Sequence, residues 1–140
     1  MDVSRIRALR GPNLWSRHTA IQAIINCEGA EVAIANLPGF EARLRERFPE
    51  LGDLIPADHL DTVSLAHALE FAALGLQAQA GCPVTFSRTA QTVDTGVYQV
   101  VVEYTEEAVG RRALELAEAL CRAALADTPF DLDTAVAELR

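Results

Sequence analysis

Hydrophobic residues recur along this chain with two periods, and the densest run marks its centre. Residues 64–81, SLAHALEFAALGLQAQAG, contain no proline and one interior glycine, Gly75, and are rich in alanine and leucine. That composition predicts a helix of about four to five turns. Ser64 is placed to cap it, although His67 stands where a Glu or Gln would complete a capping box. Gly81, followed closely by Pro83, predicts its end. Apolar side chains surround the helix, so it is expected to be buried. His67, Glu70 and Gln77, at i, i+3 and i+10, form one polar line along it. That line performs chemistry, is the remnant of a site, or hydrogen-bonds inside the fold.

The flanking segments alternate between strand and helix patterns. Residues 3–10, VSRIRALR, place Ile6 and Ala8 opposite Arg5 and Arg7, an imperfect alternation that predicts a half-exposed strand ending at Gly11-Pro12-Asn13. Residues 19–27 fit either a helix or a strand; β-branched enrichment and short length favour a strand pairing with the first. Residues 40–48 are amphipathic, with Phe40, Leu44, Phe48 and Leu51 on one side and Arg43, Arg45 and Arg47 expected to face outward. After the central helix, 82–89 and 97–104 predict an antiparallel hairpin turning at Asp94-Thr95-Gly96. Residues 105–126 predict a long helix capped by Thr105, with Val109, Ala113, Leu116, Leu120 and Ala124 buried. The tail holds a short helix capped by Asp131 or Asp133. This order predicts an α+β two-layer sandwich: a mainly antiparallel four-stranded sheet, a buried central helix and a long C-terminal helix. Residues 1–126 form one expected domain, and 127–140 a tail.

Composition narrows the function classes. At 140 residues the chain suits one domain with a real core. Its net charge of −8 disfavours double-stranded nucleic acid as a general partner. No apolar run reaches the length of a membrane span, and the N-terminus has no secretory pattern, so a cytoplasmic location is expected. The three cysteines are widely spaced and read as reduced thiols. All twelve basic residues are arginine.

Three groups could carry chemistry. His67-Ala68-Leu69-Glu70-Phe71 follows the inverted zinc-hydrolase pattern His-x-x-Glu-His, except that Phe71 occupies the second histidine position. One imidazole cannot hold a catalytic zinc, which needs three protein ligands, and nothing in the spacing brings His18 or His59 near. A buried His67–Glu70 hydrogen bond is the simpler expectation. The second group, RGPNLWSRH at 10–18, could form a recognition loop, with guanidinium groups for carboxylates and an indole for stacking; equally, Trp15 could plug the core. The third is the arginine row Arg43, Arg45 and Arg47, set against Glu103, Glu106, Glu107, Glu115 and Glu118 near the last long helix. Two solvated faces explain such a pattern, and so does a ligand bearing both charges.

The blocks RGPNLWSRH, LPGFEARLRERFPELG, SLAHALEFAALGLQAQAGCPVTFSRT and GVYQVVVEYTEEAVGRRALELAEAL, in this order along almost the whole chain, resemble the N-terminal domain of cyanophycin synthetases. The resemblance implies a module of an ATP-dependent ligase that builds a poly-aspartate backbone with arginine on each side-chain carboxyl. In that family an ATP-grasp module and a Mur-ligase-like module perform the additions with ATP and magnesium. This chain stops before either of them, so it is expected to be an isolated domain leading to an absent ATP-grasp module. The implied role is holding polymer, with no cofactor and no metal in this domain, inside a parent that is a homo-oligomer. Arg10, Asn13, Trp15, Arg17, Arg43 and Arg47 are the candidate polymer contacts. Some relatives carry a complete His-x-x-Glu-His and a further Glu that cut polymer into primers with a bound metal. Here His67 and Glu70 match, whereas Phe71 and Gly75 do not, so the site is expected to be a degenerate remnant without hydrolase activity. The alternatives are a metallohydrolase with a rearranged set of His18, His59 or His67, and a docking domain that shapes the oligomer.

Overall fold

A computed structural model describes residues 1–11, 17–27, 33–55 and 62–140. Four antiparallel strands form one sheet: β1 (Asp2–Leu9), β2 (Ala20–Asn26), β3 (Ser87–Gln91) and β4 (Val97–Glu103), in spatial order β1-β2-β4-β3. Four helices accompany them: α1 (Phe40–Arg47), α2 (Leu65–Gln79), α3 (Glu107–Ala126) and α4 (Leu132–Glu138). The architecture is the α+β sandwich expected, and 19–27 is a strand, as its β-branched residues indicate.

The core lies between one face of the sheet and the α2/α3 pair. Ile21, Ala23 and Ile25 of β2 and Tyr98, Val100 and Val102 of β4 point into it, at the two-residue period of a strand. Helix α2 packs on β3 and β4, and α3 packs beside α2 and reaches β1 and β2. Gly110 permits that reach, because a Cβ there would lie 2.6 Å from Tyr104 Cβ and 3.2 Å from Ile21. Helix α1 braces α3 through buried Phe40 and Leu44. Helix α4 packs against α2 and buries Ala135, Val136 and Leu139. Its cap is Asp131, whose carboxylate accepts from the Thr134 backbone N–H at 3.1 Å and its hydroxyl at 2.7 Å.

Four local expectations change. The imperfect alternation of β1 is a bulge: from Ser4 to Arg7 the strand takes three steps while its partner takes two, from Ile24 to Gln22, and Arg5 has φ 51°. Strand β3 begins at Ser87, later than 82, because the Thr85 N–H turns to the Glu103 carboxylate at 3.2 Å. Glu106, without a side-chain cap bond, precedes α3 in place of Thr105. Finally, Arg43 and Arg47 do not face outward; they fold onto the C-terminal end of α3.

Candidate functional site

The polar line on α2 is engaged within the fold, except for Gln77 Oε1, which is buried without a hydrogen-bond partner. At its N-terminus the Ser64 hydroxyl accepts from the His67 backbone N–H at 3.3 Å, and His67 Nδ1 accepts from the Ser64 backbone N–H at 3.2 Å. The same Nδ1 lies 2.8 Å from the Ser64 hydroxyl. Histidine therefore completes the capping box that Glu or Gln usually closes. Accepting at Nδ1 requires a neutral imidazole with its proton on Nε2. Burial lowers the His67 pKa from its ordinary value, against a smaller opposing pull from Glu70.

The expected His67–Glu70 hydrogen bond is not formed. Glu70, one turn further and buried, accepts the Ser87 hydroxyl at 2.5 Å and the Thr89 hydroxyl at 2.6 Å, one on each carboxylate oxygen. Both donors come from β3, so the carboxylate ties the helix to the sheet edge. Gln77, fully buried, donates from Nε2 to the Glu103 carbonyl at 2.9 Å and to the Ala73 carbonyl at 3.4 Å.

These residues do not fit a zinc centre. The Nδ1 atom of His67 is engaged by its own cap, and Phe71 offers no donor. At Gly75 a Cβ would meet the Phe48 ring at 3.1 Å and Leu54 at 3.3 Å, so the space beside the helix belongs to hydrophobic packing. His18 adjoins Thr19, which donates to the Tyr104 carbonyl at 2.8 Å, whereas the His67 ring packs edge-on against Tyr98 at 6.3 Å. Those tyrosines stand six residue steps apart, about 20 Å along an extended chain, too far for His18 and His67 to share an ion. His59 lies outside the described residues. Among the described residues no three His, Cys, Asp or Glu side chains cluster around a metal-sized space.

The candidate polymer contacts are not brought into one patch. Arg10 pairs with Glu107 at 2.8 Å at the start of α3; Glu107 raises its pKa, and Arg10 in turn holds the Glu107 carboxyl below its ordinary value. Arg43 donates to the Ala124 carbonyl at 2.6 Å, and Arg47 to the Thr128 carbonyl at 2.8 Å and Asp127 at 3.0 Å, at the end of α3. Cations at the carbonyl end complement the helix dipole, and these two cap it. Positions 107 and 124 are about 25 Å apart along the helix axis. Arg17 is exposed, and Asn13 and Trp15 lie outside the described residues. Four further arginines also find acids: Arg45 with Glu41, Arg111 with Glu107, Arg112 with Glu115 and Glu138, and Arg122 with Glu118.

A different set emerges on the outer sheet face, turned away from the helices. Arg7 pairs in register with Gln22, Gln22 with Val101, and Val101 with Arg88. One transverse row thus crosses all four strands with an exposed arginine at each end. Arg7 donates to the Gln22 side chain at 2.9 Å and not to a carboxylate. Arg5, on the bulge, joins Arg7, Gln22 and Ile24 around a shallow hollow of about 240 Å³. The signal in the sequence was the alternation of Arg5 and Arg7 with Ile6 and Ala8; the row itself depends on strand pairing and was not legible.

Residues 22–126 match the family described as cyanophycin synthase-like N-terminal domain. The chain is 38% identical over 134 residues to the cyanophycin synthetase of Trichormus variabilis, covering 87% of this chain and 15% of that protein. It is 36% identical over 151 residues to that of Geminocystis herdmanii, covering 99% and 17% respectively. To the Synechocystis cyanophycin synthetase it is 35% identical over 141 residues, covering 91% and 16%. The chain therefore spans about a sixth of the length of these relatives.

Proposed function

The chain belongs to the cyanophycin synthase-like N-terminal domain family, and from that premise we propose that it is a non-catalytic module holding the polymer for a cyanophycin synthetase. The parent is an ATP-dependent ligase that joins aspartate and arginine in the cytoplasm. ATP and magnesium belong to its ATP-grasp and Mur-ligase-like modules; this domain takes no cofactor. The parent works as a homo-oligomer. Holding a growing chain near both active sites raises its effective concentration there without any chemistry in the tether.

The observation that carries the non-catalytic reading is the state of α2. Glu70 is tied to Ser87 and Thr89, His67 caps the helix, and Phe48 fills the space beside Gly75. Each side chain that could act on a scissile bond already has a structural partner. The test is an NMR titration with a short β-Asp-Arg oligomer, first without metal and then with zinc. Expected are localised shifts that weaken with salt, because charge pairs carry the contact, and no cleavage on adding zinc. Absence of shifts at millimolar oligomer would overturn the tether in favour of a docking domain. Zinc-dependent release of short chains would overturn the non-catalytic reading.

A further inference from the structure

We propose that the hollow between the end of α2, the start of α3 and the end of α4 is a pocket for one arginyl branch of the polymer, held at both of its charged ends. The inference rests on the tethering role proposed above and adds where and by what chemistry it occurs.

The hollow has a volume of about 520 Å³, within the range of small-ligand sites. Ala80 and Pro83 come from the end of α2 and the turn beyond it, Glu106 and Val109 from the start of α3, and Leu139 and Arg140 from the residues after α4. These segments meet because α2 packs against both α3 and α4. Half-buried Val109 and buried Leu139 supply apolar surface, whereas Glu106 and Arg140 are exposed and bring one charge of each sign.

Those two charges are not used by the fold. Arg10, Arg45, Arg111, Arg112 and Arg122 each pair with a glutamate, and Arg43 and Arg47 cap α3. Glu106 and Arg140 line one hollow without pairing with each other, and neither side chain has a partner among the described residues. A carboxylate and a guanidinium set around an apolar wall match a ligand that carries a cation, an alkyl stem and an anion. An arginyl branch is such a ligand: its amine is consumed in the amide to aspartate, which leaves the guanidinium, the methylene stem and a free α-carboxylate. The helix ends agree with this assignment. The carbonyl end of α3 meets Arg43 and Arg47, whereas α2 reaches the hollow with no basic residue in its last turn. A guanidinium bound there supplies the cation that a carbonyl end favours. The branch thus places its guanidinium at Glu106, its stem against Val109 and Leu139, and its carboxylate at Arg140. Guanidinium–carboxylate pairing is the strong form of such contacts.

Fluorescence anisotropy with three labelled oligomers tests this: β-Asp-Arg itself, one with citrulline for arginine, which lacks the cation, and one with agmatine for arginine, which lacks the α-carboxylate. Glu106→Gln and Arg140→Gln should each weaken binding of the β-Asp-Arg oligomer about threefold to fivefold. The loss caused by citrulline should shrink by that factor in Glu106→Gln and stay unchanged in Arg140→Gln. The loss caused by agmatine should shrink in Arg140→Gln and stay unchanged in Glu106→Gln, because each variant removes one end of the contact. Glu50→Gln, the same charge change on an exposed carboxylate outside the hollow, should bind as wild type. Circular dichroism melting checks that the variants are folded. If the wild type binds and both hollow variants bind equally well, or weaken without changing their response to citrulline and agmatine, the pocket assignment fails while tethering stands. If the wild type binds no oligomer, tethering fails and this assignment with it. If the variants alter sedimentation but not oligomer binding, the hollow belongs to a second copy of the chain, which also overturns the assignment.

Discussion

The two sides of this molecule use the same residue types in opposite ways. On the helix side, arginines and polar side chains are matched within the chain: Arg43 and Arg47 cap α3, Arg10 and Arg111 share Glu107, and Glu70 collects two hydroxyls from β3. On the outer sheet face, exposed Arg7 turns to the neutral amide of Gln22, whose in-row neighbour Val101 is buried. An internally matched charge contributes to the fold; one facing solvent without an acid contributes little to stability and is available to a ligand. The difference teaches that residue types able to do chemistry can serve the fold instead, and that binding capacity is better sought where charges lack acidic partners.

The largest expected effect tests the helix side. Glu70→Ala would strand the Ser87 and Thr89 hydroxyls in a part-buried site, and should cost roughly 2–4 kcal/mol in urea unfolding. A loss below about 1 kcal/mol would mean that Glu70 does not tie the helix to the sheet. Gly75→Glu adds an acid further along α2 from Glu70 but drives a side chain into Phe48, so a loss of roughly 1–3 kcal/mol is expected. An unchanged melting temperature, with zinc taken up, would show that the site can be rebuilt. Arg47→Ala removes a mostly buried guanidinium from the end of α3, and about 1–2 kcal/mol should be lost in the same unfolding assay.

A smaller effect concerns pH. The His67 pKa is lowered by burial, so on acidification the unfolded chain takes up a proton before the folded one does. Stability is held above about pH 6.5, the ordinary histidine value, and falls as pH drops through it towards the folded-state value. Protonation would also remove the acceptor that Nδ1 offers Ser64. His67→Gln keeps a capping partner that does not titrate, so melting curves between pH 7 and 5 should show a shallower decline than wild type. Equal slopes would place the acid sensitivity elsewhere. The smallest effect belongs to the sheet face: Arg5→Gln/Arg7→Gln should change stability by no more than about 0.5 kcal/mol in urea unfolding. A larger loss would mean that these arginines serve the fold after all, and the contrast between the two sides would weaken.

Much of the fold was legible because it follows from local periodicity. The all-round apolar run at 64–81 reads as a buried helix and the pattern at 97–104 as a strand, and both are largely buried. Ser64, Gly81, Gly96 and Asp131 carried enough capping and turn chemistry to bound several elements correctly. Boundaries were missed where a long-range side chain displaced a local rule, as when the Glu103 carboxylate took the Thr85 N–H and delayed β3. The row at Arg43–Arg47 was misjudged for a related reason: helical period shows which residues share a face, not that the carbonyl end of another helix will meet that face.

The sequence by itself determined the elements, the buried helix, the family and the departure of Phe71 from a His-x-x-Glu-His pattern. These rest on residue identity and on spacings within one element, which any reader of the chain can count. Only the tertiary structure decided that His67 caps its own helix, that Glu70 binds β3, that Phe48 stands against Gly75, and that Arg7 and Arg88 share a row. Each of these joins residues distant along the chain or selects among partners the chain offers equally. Strand order and register make that selection, because a one-residue slip would turn the arginine row into the core.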